Sequence, residues 1–271
     1  MKHILSILLF CLFVSPSAKA VKVMGLRVID KNYLMVHLRD GEVRYEDDGK
    51  GPGAYLGHTS AEDTLVVFGK RLQPNVATKT ESWSIHSKED KNFTKVRPLA
   101  VWRKSKPMNT DHTLTSELDH WLFLHLPQGM KQGCTYTVTL PEGMEADVKE
   151  ASVTFDIWRT PSEAVHVNII GYTPQEAVHP ADLYLWLGDG GQRDYASFEG
   201  KNVYLYNVKT GRSRKAGKGS FWKSASAKQE ANRKDMTGSD VWNIDFKGSA
   251  PGRYRLVVED VGCSMDFNIA N

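Results

Sequence analysis

Residues 165–194 read VHVNIIGYTPQEAVHPADLYLWLGDGGQRD, and the fold prediction begins from this stretch. It contains two apolar runs separated by Pro174 and Pro180, and it ends near the glycine-rich sequence Gly188-Asp189-Gly190-Gly191. Apolar runs rich in branched and aromatic residues, interrupted by Pro and Gly, are typical of β-strands joined by turns. The stretch therefore predicts two strands and a hairpin whose glycines adopt positive φ.

Apolar runs of the same kind recur along the whole chain, and no window shows the apolar stripe of a capped helix. The sequence therefore predicts an all-β fold with little helix. Segments 45–57 and 215–238 are predicted to be loops, the second with one helical turn at 227–233. The predicted strands are 23–29, 33–38, 64–68, 82–86, 98–103, 121–126, 135–140, 152–157, 165–170, 181–187, 202–208, 240–246, 253–259 and 264–269.

Residues 1–20, MKHILSILLFCLFVSPSAKA, have the pattern of a secretory signal peptide. Lys2 precedes an apolar run at 4–14, and Ala18-Lys19-Ala20 has the small residues of a cleavage site. The apolar run is too short to span a bilayer, so no membrane span is predicted. We expect cleavage after Ala20 and a secreted or periplasmic protein.

The charge balance argues against a nucleic-acid partner. The formal net charge of the chain is +3, and loss of Lys2 and Lys19 with the signal peptide takes it to +1. A general nucleic-acid-binding protein is usually far more basic. Cys134 and Cys263 remain after processing, one in each half of the chain. Two small buried thiols are favoured, although an exported protein permits a disulfide between them.

The two halves of the chain end in similar patterns. Gly133-Cys134-Thr135-Tyr136 opens the penultimate strand of the first half, and Gly252-Arg253-Tyr254 does so in the second. A tyrosine at this place is typical of immunoglobulin-like sandwiches, where its hydroxyl bonds back to the loop backbone. The sequence therefore predicts two tandem immunoglobulin-like β-sandwich domains. They follow the signal peptide at 21–158 and 165–271, with a linker at 159–164.

The second half contains an ordered set of motifs. They are VNIIGY at 167–172, LYLWLGDGG at 183–191, NVYLYNVKTG at 202–211, TGSDVWNIDF at 237–246 and PGRYRLVVEDVGCSMDFNIAN at 251–271. This set resembles the cellulase N-terminal immunoglobulin-like domain, which precedes the catalytic barrel in many family 9 glycoside hydrolases. The likeness covers about residues 163–271 and departs at Ile170, where the family usually has glutamine. Residues 21–158 resemble the additional β domain ahead of this module in some exported bacterial members.

The resemblance implies a non-catalytic accessory region in carbohydrate metabolism. Inverting glycosidases need one carboxyl group as acid and another as base, and in the family both lie in the barrel, on an Asp-Ala-Gly-Asp-type segment and a late glutamate. Neither segment occurs in this sequence, so no catalytic residue, cofactor or metal ligand is carried over. The implied partners are a catalytic glycoside hydrolase domain or plant polysaccharide. Two alternatives stay open: a stand-alone exported glycan-binding module, and a structural or adhesion module that binds protein.

Three residues are candidates for an interface or ligand contact. Asp189 and Asp194 flank two glycines, so a hairpin, a domain-interface contact and a cation site are the alternatives for them. Calcium needs six or more oxygen ligands, which this spacing hardly supplies. Trp222 follows Phe221 in the basic segment at 215–238, where it either contacts a surface ligand or packs over the sandwich edge.

Other signatures of catalysis or metal binding are weak. His120 and His125 lie around one predicted strand, and their spacing places them on opposite faces. Ser82, Ser84 and Ser87 lie near His86, but no GxSxG elbow occurs to support a hydrolase triad. The histidines show neither an HExxH motif nor another paired metal spacing.

Overall fold

A computed structural model describes residues 20–46, 64–111, 113–225, 237–248 and 250–271. The predicted signal peptide up to residue 19, most of the predicted loop at 45–57 and the predicted helical turn at 227–233 lie outside the described residues. Among the described residues, strands dominate and helix is confined to one four-residue turn and four 3-10 segments. The all-β prediction is confirmed.

The described residues of the first half form three sheets. A four-stranded antiparallel sheet has the order β1-β2-β7-β6, a three-stranded sheet has the order β5-β8-β9, and β3 pairs with β4. We call the first of these the central sheet. The elements are β1 Lys22–Asp30, β2 Tyr33–Asp40, β3 Glu42–Glu46, β4 Thr64–Phe68, α1 Pro74–Ala77, β5 Ser84–His86, β6 Ala100–Thr110, β7 Ser116–His125, β8 Thr135–Thr139 and β9 Glu150–Thr154.

The second half of the chain forms two sheets of shorter strands. One has the order β10-β11-β15-β14, and the other has the order β13-β12-β16-β17, with β18 also paired to β16. Buried side chains from both sheets, such as Trp242 and Leu256, belong to one apolar cluster. The strands are β10 Val165–His166, β11 Asp182–Leu183, β12 Asn202–Asn207, β13 Ser213–Lys218, β14 Ser220–Lys223, β15 Val241–Asn243, β16 Gly252–Val258, β17 Gly262–Cys263 and β18 Phe267–Ile269.

The central sheet contributes apolar side chains to two different cores. Successive side chains of a strand point to opposite faces of its sheet. On one face, Leu34 and Leu124 join the buried cluster of the first half. On the other face, Tyr33, Met35 and Phe123 belong to the buried cluster that is otherwise built from the second half. The two halves therefore share a core across the central sheet.

Both predicted corner tyrosines bond to nearby loop backbone. The hydroxyl of Tyr136 accepts a hydrogen bond from the backbone N–H of Lys131 at 2.7 Å and donates one to Asp90 at 3.0 Å. The hydroxyl of Tyr254 donates to the carbonyl oxygen of Ala250 at 3.0 Å. These bonds fix the loop before the penultimate strand of each half, because a buried hydroxyl is costly without a partner.

The loop prediction for residues 215–238 is wrong over its first part. Strands β13 and β14 occupy Ser213–Lys218 and Ser220–Lys223, and they belong to different sheets. The predicted strand at 165–170 is also too long. It ends at His166, since the backbone turns where the N–H of Gly171 bonds to the carbonyl oxygen of Asn168 at 3.1 Å.

Cys134 and Cys263 are free thiols. Cys263 is buried, as expected, whereas Cys134 is partly exposed. Burial raises the pKa of the Cys263 thiol to about 12, so this group stays protonated at neutral pH.

We expect a soluble maleimide at pH 7.5 to modify Cys134 in the native protein and to modify Cys263 only after unfolding, because the thiolate is the reactive form. Peptide mass spectrometry on native and urea-unfolded samples measures the two sites separately. Equal labelling of both thiols in the native protein would contradict the burial of Cys263.

Candidate functional site

The glycine-rich loop reverses the chain between two short extended segments. Trp186 and Gln192 pair as an antiparallel bridge, and the N–H of Leu187 bonds to the carbonyl oxygen of Gly191 at 2.7 Å. Gly188 and Gly191 have φ values of +72° and +74°, which favour glycine. The loop is therefore a tight turn that needs its glycines, with a 3-10 segment over Gly188–Gly190.

The same loop is also docked on edge strand β6 of the central sheet. Asp189 Oδ1 accepts a hydrogen bond of 2.6 Å from the backbone N–H of Arg103. A Cβ atom on Gly188 would lie 2.2 Å from the carbonyl oxygen of Arg103, and one on Gly190 would lie 2.3 Å from the ring of Trp102. Asp189 thus contacts the other half of the chain.

Asp194 has a local role in the structure. Its Oδ1 accepts a hydrogen bond of 2.8 Å from the backbone N–H of Ala196 at the start of a 3-10 segment. The two candidate aspartates thus have different roles: Asp189 contacts the other half of the chain, and Asp194 closes a local turn. Within the described residues, no group of three or more His, Cys, Asp or Glu side chains is placed to hold a metal ion.

A buried ion pair crosses between the halves beside this loop. Arg193 Nε donates a hydrogen bond of 2.8 Å to Asp30 Oδ2, and the Asp30 side chain is fully buried while that of Arg193 is 11% exposed. The guanidinium lies 4.4 Å from the ring centroid of Tyr33 and 5.0 Å from that of Tyr195. Burial opposes the charge on Arg193, but Asp30 outweighs it and raises the pKa of the guanidinium.

The turn between β1 and β2 makes a second set of contacts with the other half. Lys31 Nζ donates to Asp260 Oδ2 at 2.9 Å, and Lys201 donates to the same oxygen at 2.8 Å. Burial opposes ionisation of Asp260, yet these two hydrogen bonds lower the pKa of the carboxyl group. We call the contacts of Asp30, Lys31 and the loop Gly188–Gly190 with the opposite half the joint.

An apolar groove runs along residues 160–167. Its cavity volume is about 650 Å³, and its rim carries the ion pair of Arg27 with Glu163 at 2.8 Å. Ile169 and Met265 line it and are 72% and 62% exposed, and neighbouring Ile170 is 92% exposed. We call Ile169, Ile170 and Met265 the apolar ridge. Exposed apolar side chains grouped in this way mark contact surfaces.

Trp222 lies on edge strand β14 and is 56% exposed. Phe221 beside it is 52% exposed and packs edge-on against Trp242, with ring centroids 5.5 Å apart. Trp186 is 44% exposed, and its turn is tied to the segment after Trp222 through Asp240. We call Trp186, Phe221 and Trp222 the aromatic edge.

His120 and His125 lie on opposite faces of β7, as their spacing predicts. His125 stacks on Tyr33 with ring centroids 4.6 Å apart, towards the second half. His120 is buried on the other face, where its Nε2 lies 3.0 Å from Asp40 Oδ2. The sequence patterns did not identify Asp40, although a charged residue at a core-facing strand position is a usable signal because buried charges need partners.

Asp40 is expected to contribute stability that is lost in acid. Burial opposes its ionisation, but hydrogen bonds from His120 and from the N–H of Leu72 outweigh this and lower the pKa of the carboxyl group. Because the folded-state pKa lies below the unfolded value of about 3.9, the stabilisation is complete above that pH and is lost as pH falls through the folded pKa. Each unit of depression is worth about 1.4 kcal/mol.

Urea unfolding followed between pH 2 and pH 6 measures this contribution. We expect Asp40→Asn to be less stable than the wild type at pH 6, with a smaller difference towards pH 2. A difference in stability that is constant from pH 2 to pH 6 would show that the pKa of Asp40 is the same in the folded and unfolded states.

No described helix has the length and apolar character needed to cross a membrane. A scan against models of known protein families gave no match to this chain, and a search of curated proteins gave no significant match.

Proposed function

We propose that the chain is a pair of immunoglobulin-like β-sandwich units that act as the non-catalytic accessory region of a family 9-like glycoside hydrolase. In this role it holds a catalytic domain in position and does not itself cleave glycosidic bonds. The observation that carries the proposal is the joint, where a buried ion pair and a shared core fix one half against the other. A support for another domain has to be rigid, because a flexible hinge would not fix the geometry of what it carries.

Two further observations support the immunoglobulin-like part of the proposal. Each half pairs its strands in antiparallel sheets, and each half has a buried apolar cluster, to one of which the central sheet of the first half also contributes. In each half the corner tyrosine, Tyr136 or Tyr254, bonds to loop backbone four or five residues before it.

The apolar ridge is the surface that we assign to the catalytic domain. Ile169 and Ile170 follow β10 in a loop that is pinned to the last strand, since the N–H of Tyr172 bonds to the carbonyl oxygen of Asn268 at 2.9 Å. Residues this exposed gain free energy when a partner covers them, at about 25 cal/mol per Å² of apolar surface removed from water.

Genomic sequence around the gene tests the proposal first. We expect DNA beyond codon 271, or a neighbouring gene, to encode a helical barrel with paired acidic residues. An unrelated neighbourhood would count against it. The purified chain is expected not to hydrolyse β-glucan, and turnover that disappears on mutation of one of its residues would refute the non-catalytic role.

A binding experiment then tests the assigned surface. The encoded barrel, supplied as a separate polypeptide, is expected to co-sediment with the chain in analytical ultracentrifugation. Ile170→Asp should weaken this association, whereas Leu99→Asp should leave it unchanged. Leu99 is 61% exposed but precedes β6, at the opposite edge of the central sheet from the β1 residues that line the groove with Ile169. Equal binding by both variants would remove the ridge from the interface.

The aromatic edge favours a second function, glycan binding. Aromatic faces such as that of Trp222 stack on sugar rings, and this side chain is more than half exposed. Calorimetry with cello-oligosaccharides and xylo-oligosaccharides tests this function. Heat that is lost in Trp222→Ala supports it, and no heat at millimolar ligand argues against it.

A further inference from the structure

A line of three polar side chains crosses the central sheet from solvent to the interior. Ser105 on edge strand β6 lies directly opposite His120 on β7, and its Oγ is 2.7 Å from His120 Nδ1. His120 Nε2 is 3.0 Å from Asp40 Oδ2 at the end of β2. Ser105 is exposed, whereas the side chains of His120 and Asp40 are each 2% exposed.

The hydrogen bonds of Asp40 determine where the protons lie. The carboxylate accepts from the backbone N–H of Leu72 at 2.8 Å and from that of Leu118 at 3.3 Å, so it acts as an acceptor. A neutral imidazole beside it therefore carries its proton on Nε2, and the lone pair of Nδ1 faces Ser105. The hydroxyl of Ser105 donates its proton to that lone pair.

A permanent positive charge lies next to the serine oxygen. Arg103 Nη1 donates a hydrogen bond of 2.5 Å to Ser105 Oγ. The guanidinium group keeps its charge at every pH that the folded protein experiences. It favours negative charge on Oγ, and it can stabilise an oxyanion that forms on a carbonyl group bonded to that oxygen.

We propose that Ser105 is a nucleophile towards carboxylic esters, with His120 as its general base and Asp40 as the residue that orients the base. The arrangement follows the logic of a Ser-His-Asp triad, in which roles and geometry define the site and the order along the chain does not. In the usual triad Nε2 of the histidine faces the serine and Nδ1 faces the aspartate. Here Nδ1 of His120 faces Ser105 and Nε2 faces Asp40. This activity lies outside the scaffold function and does not depend on it.

The reaction balances as ester hydrolysis. Ser105 Oγ bonds to the carbonyl carbon while its proton passes to His120 Nδ1, and Arg103 stabilises the oxyanion. The bond from that carbon to the alcohol oxygen breaks, and Nδ1–H returns the proton to the alcohol. Water then attacks the acyl-serine, gives its proton to Nδ1 and releases the acid, and Ser105 regains its proton.

The position of Ser105 indicates the substrate class. The serine lies on an open strand, and residues 105–110 are all exposed. A short acyl group, such as the acetyl of an esterified hydroxyl on a larger molecule, can reach Oγ there without entering an enclosed pocket. Long acyl chains find no apolar channel among the residues that flank Ser105 on β6.

Covalent labelling and hydrolysis of p-nitrophenyl acetate test the proposal on the full chain. A fluorophosphonate should form a phosphorus–oxygen bond to Ser105 with loss of fluoride, and peptide mass spectrometry should locate it there. Ser105→Ala should abolish this label and lower the catalysed ester hydrolysis by about 100-fold or more, because it removes the nucleophile on which the acyl-serine route depends. Arg103→Gln should lower the rate and keep the label.

Ser152→Ala is the matched control. Ser152 is also an exposed strand serine, but its hydroxyl is 2.8 Å from the hydroxyl of Thr137 and not from an imidazole. This variant should label and hydrolyse like the wild type. An unlabelled Ser105, or an unchanged rate in Ser105→Ala, would overturn the proposal. Because Ser105 is exposed, we expect Ser105→Ala to fold like the wild type, so a lost label or a lowered rate in this variant reports on the hydroxyl group.

Discussion

Arg193→Ala is expected to lower the free energy of unfolding by about 3–5 kcal/mol, because it leaves the Asp30 carboxylate buried without its cation. Asp30 is fully buried, and Arg193 is also stacked among the rings of Tyr33 and Tyr195. The substitution therefore removes both a charge partner and a packed side chain. Urea unfolding monitored by tryptophan fluorescence measures the loss.

The ion pair of Arg27 with Glu163 provides the control for this variant. It has the same distance of 2.8 Å, but the two side chains are 55% and 32% exposed. Exposed pairs contribute about 0–1 kcal/mol, so Arg27→Ala should stay within that range. Replacing the buried pair with Leu at 30 and Met at 193 should recover much of the loss, since no isolated charge remains. Similar losses in the free energy of unfolding for Arg193→Ala and Arg27→Ala would show that burial does not determine how much an ion pair stabilises this protein.

Gly188→Ala is expected to destabilise the protein by about 2–5 kcal/mol through two additive causes. The residue has a φ of +72°, which a side chain disfavours. Its new Cβ would also lie 2.2 Å from the carbonyl oxygen of Arg103, and backbone cannot move aside as a flexible side chain can. The loop must then lift from β6, and we expect the N–H of Arg103 to lose its bond to Asp189.

Gly191→Ala separates the two causes. Its φ of +74° is nearly the same, but nothing lies within 4 Å of the position of its Cβ. This variant should cost only the conformational part, about 1–3 kcal/mol, because its φ of 74° and ψ of −144° lie close to a region that is essentially restricted to glycine. Hydrogen exchange at the Arg103 amide should accelerate in Gly188→Ala and stay slow in Gly191→Ala. Equal exchange in the two variants would show that the loop does not press on β6.

Strands β2 and β7 of the first half could be predicted closely because their surroundings are regular, whereas β3 at Glu42–Glu46 was not predicted and its end overlaps the predicted loop at 45–57. Residues 33–38 pair with 120–125 along their whole length, so alternation in the sequence corresponds to alternation between two faces. The predicted strand at 98–103 corresponds to β6, which extends to Thr110. The sequence did not predict this extension, because residues 105–110 are exposed on both faces and show no alternation of apolar and polar residues.

The second half was harder to predict for two physical reasons. Its strands are short because the loops supply hydrogen bonds of their own, as Asn168 does for Gly171. Strands β13 and β14 lie at sheet edges and carry mainly exposed side chains, so an apolar pattern is absent from them.

The joint and the line from Ser105 to Asp40 lie beyond what local patterns reveal. Asp189 meets Arg103 from 86 residues away, and Arg193 meets Asp30 from 163 residues away. Nothing near either residue indicates such a partner. Ser105 and Asp40 likewise come together only through the pairing of three strands.

The sharing of the central sheet affects how this protein can change in evolution. Ile29, Tyr33, Met35 and Phe123 are at most 6% exposed, and their neighbours in the shared core come mainly from residues 164–269. A gene fusion that moved the second half alone would leave those side chains uncovered and deprive the transplanted half of part of its interior. Recombination is therefore expected to transmit the two halves together.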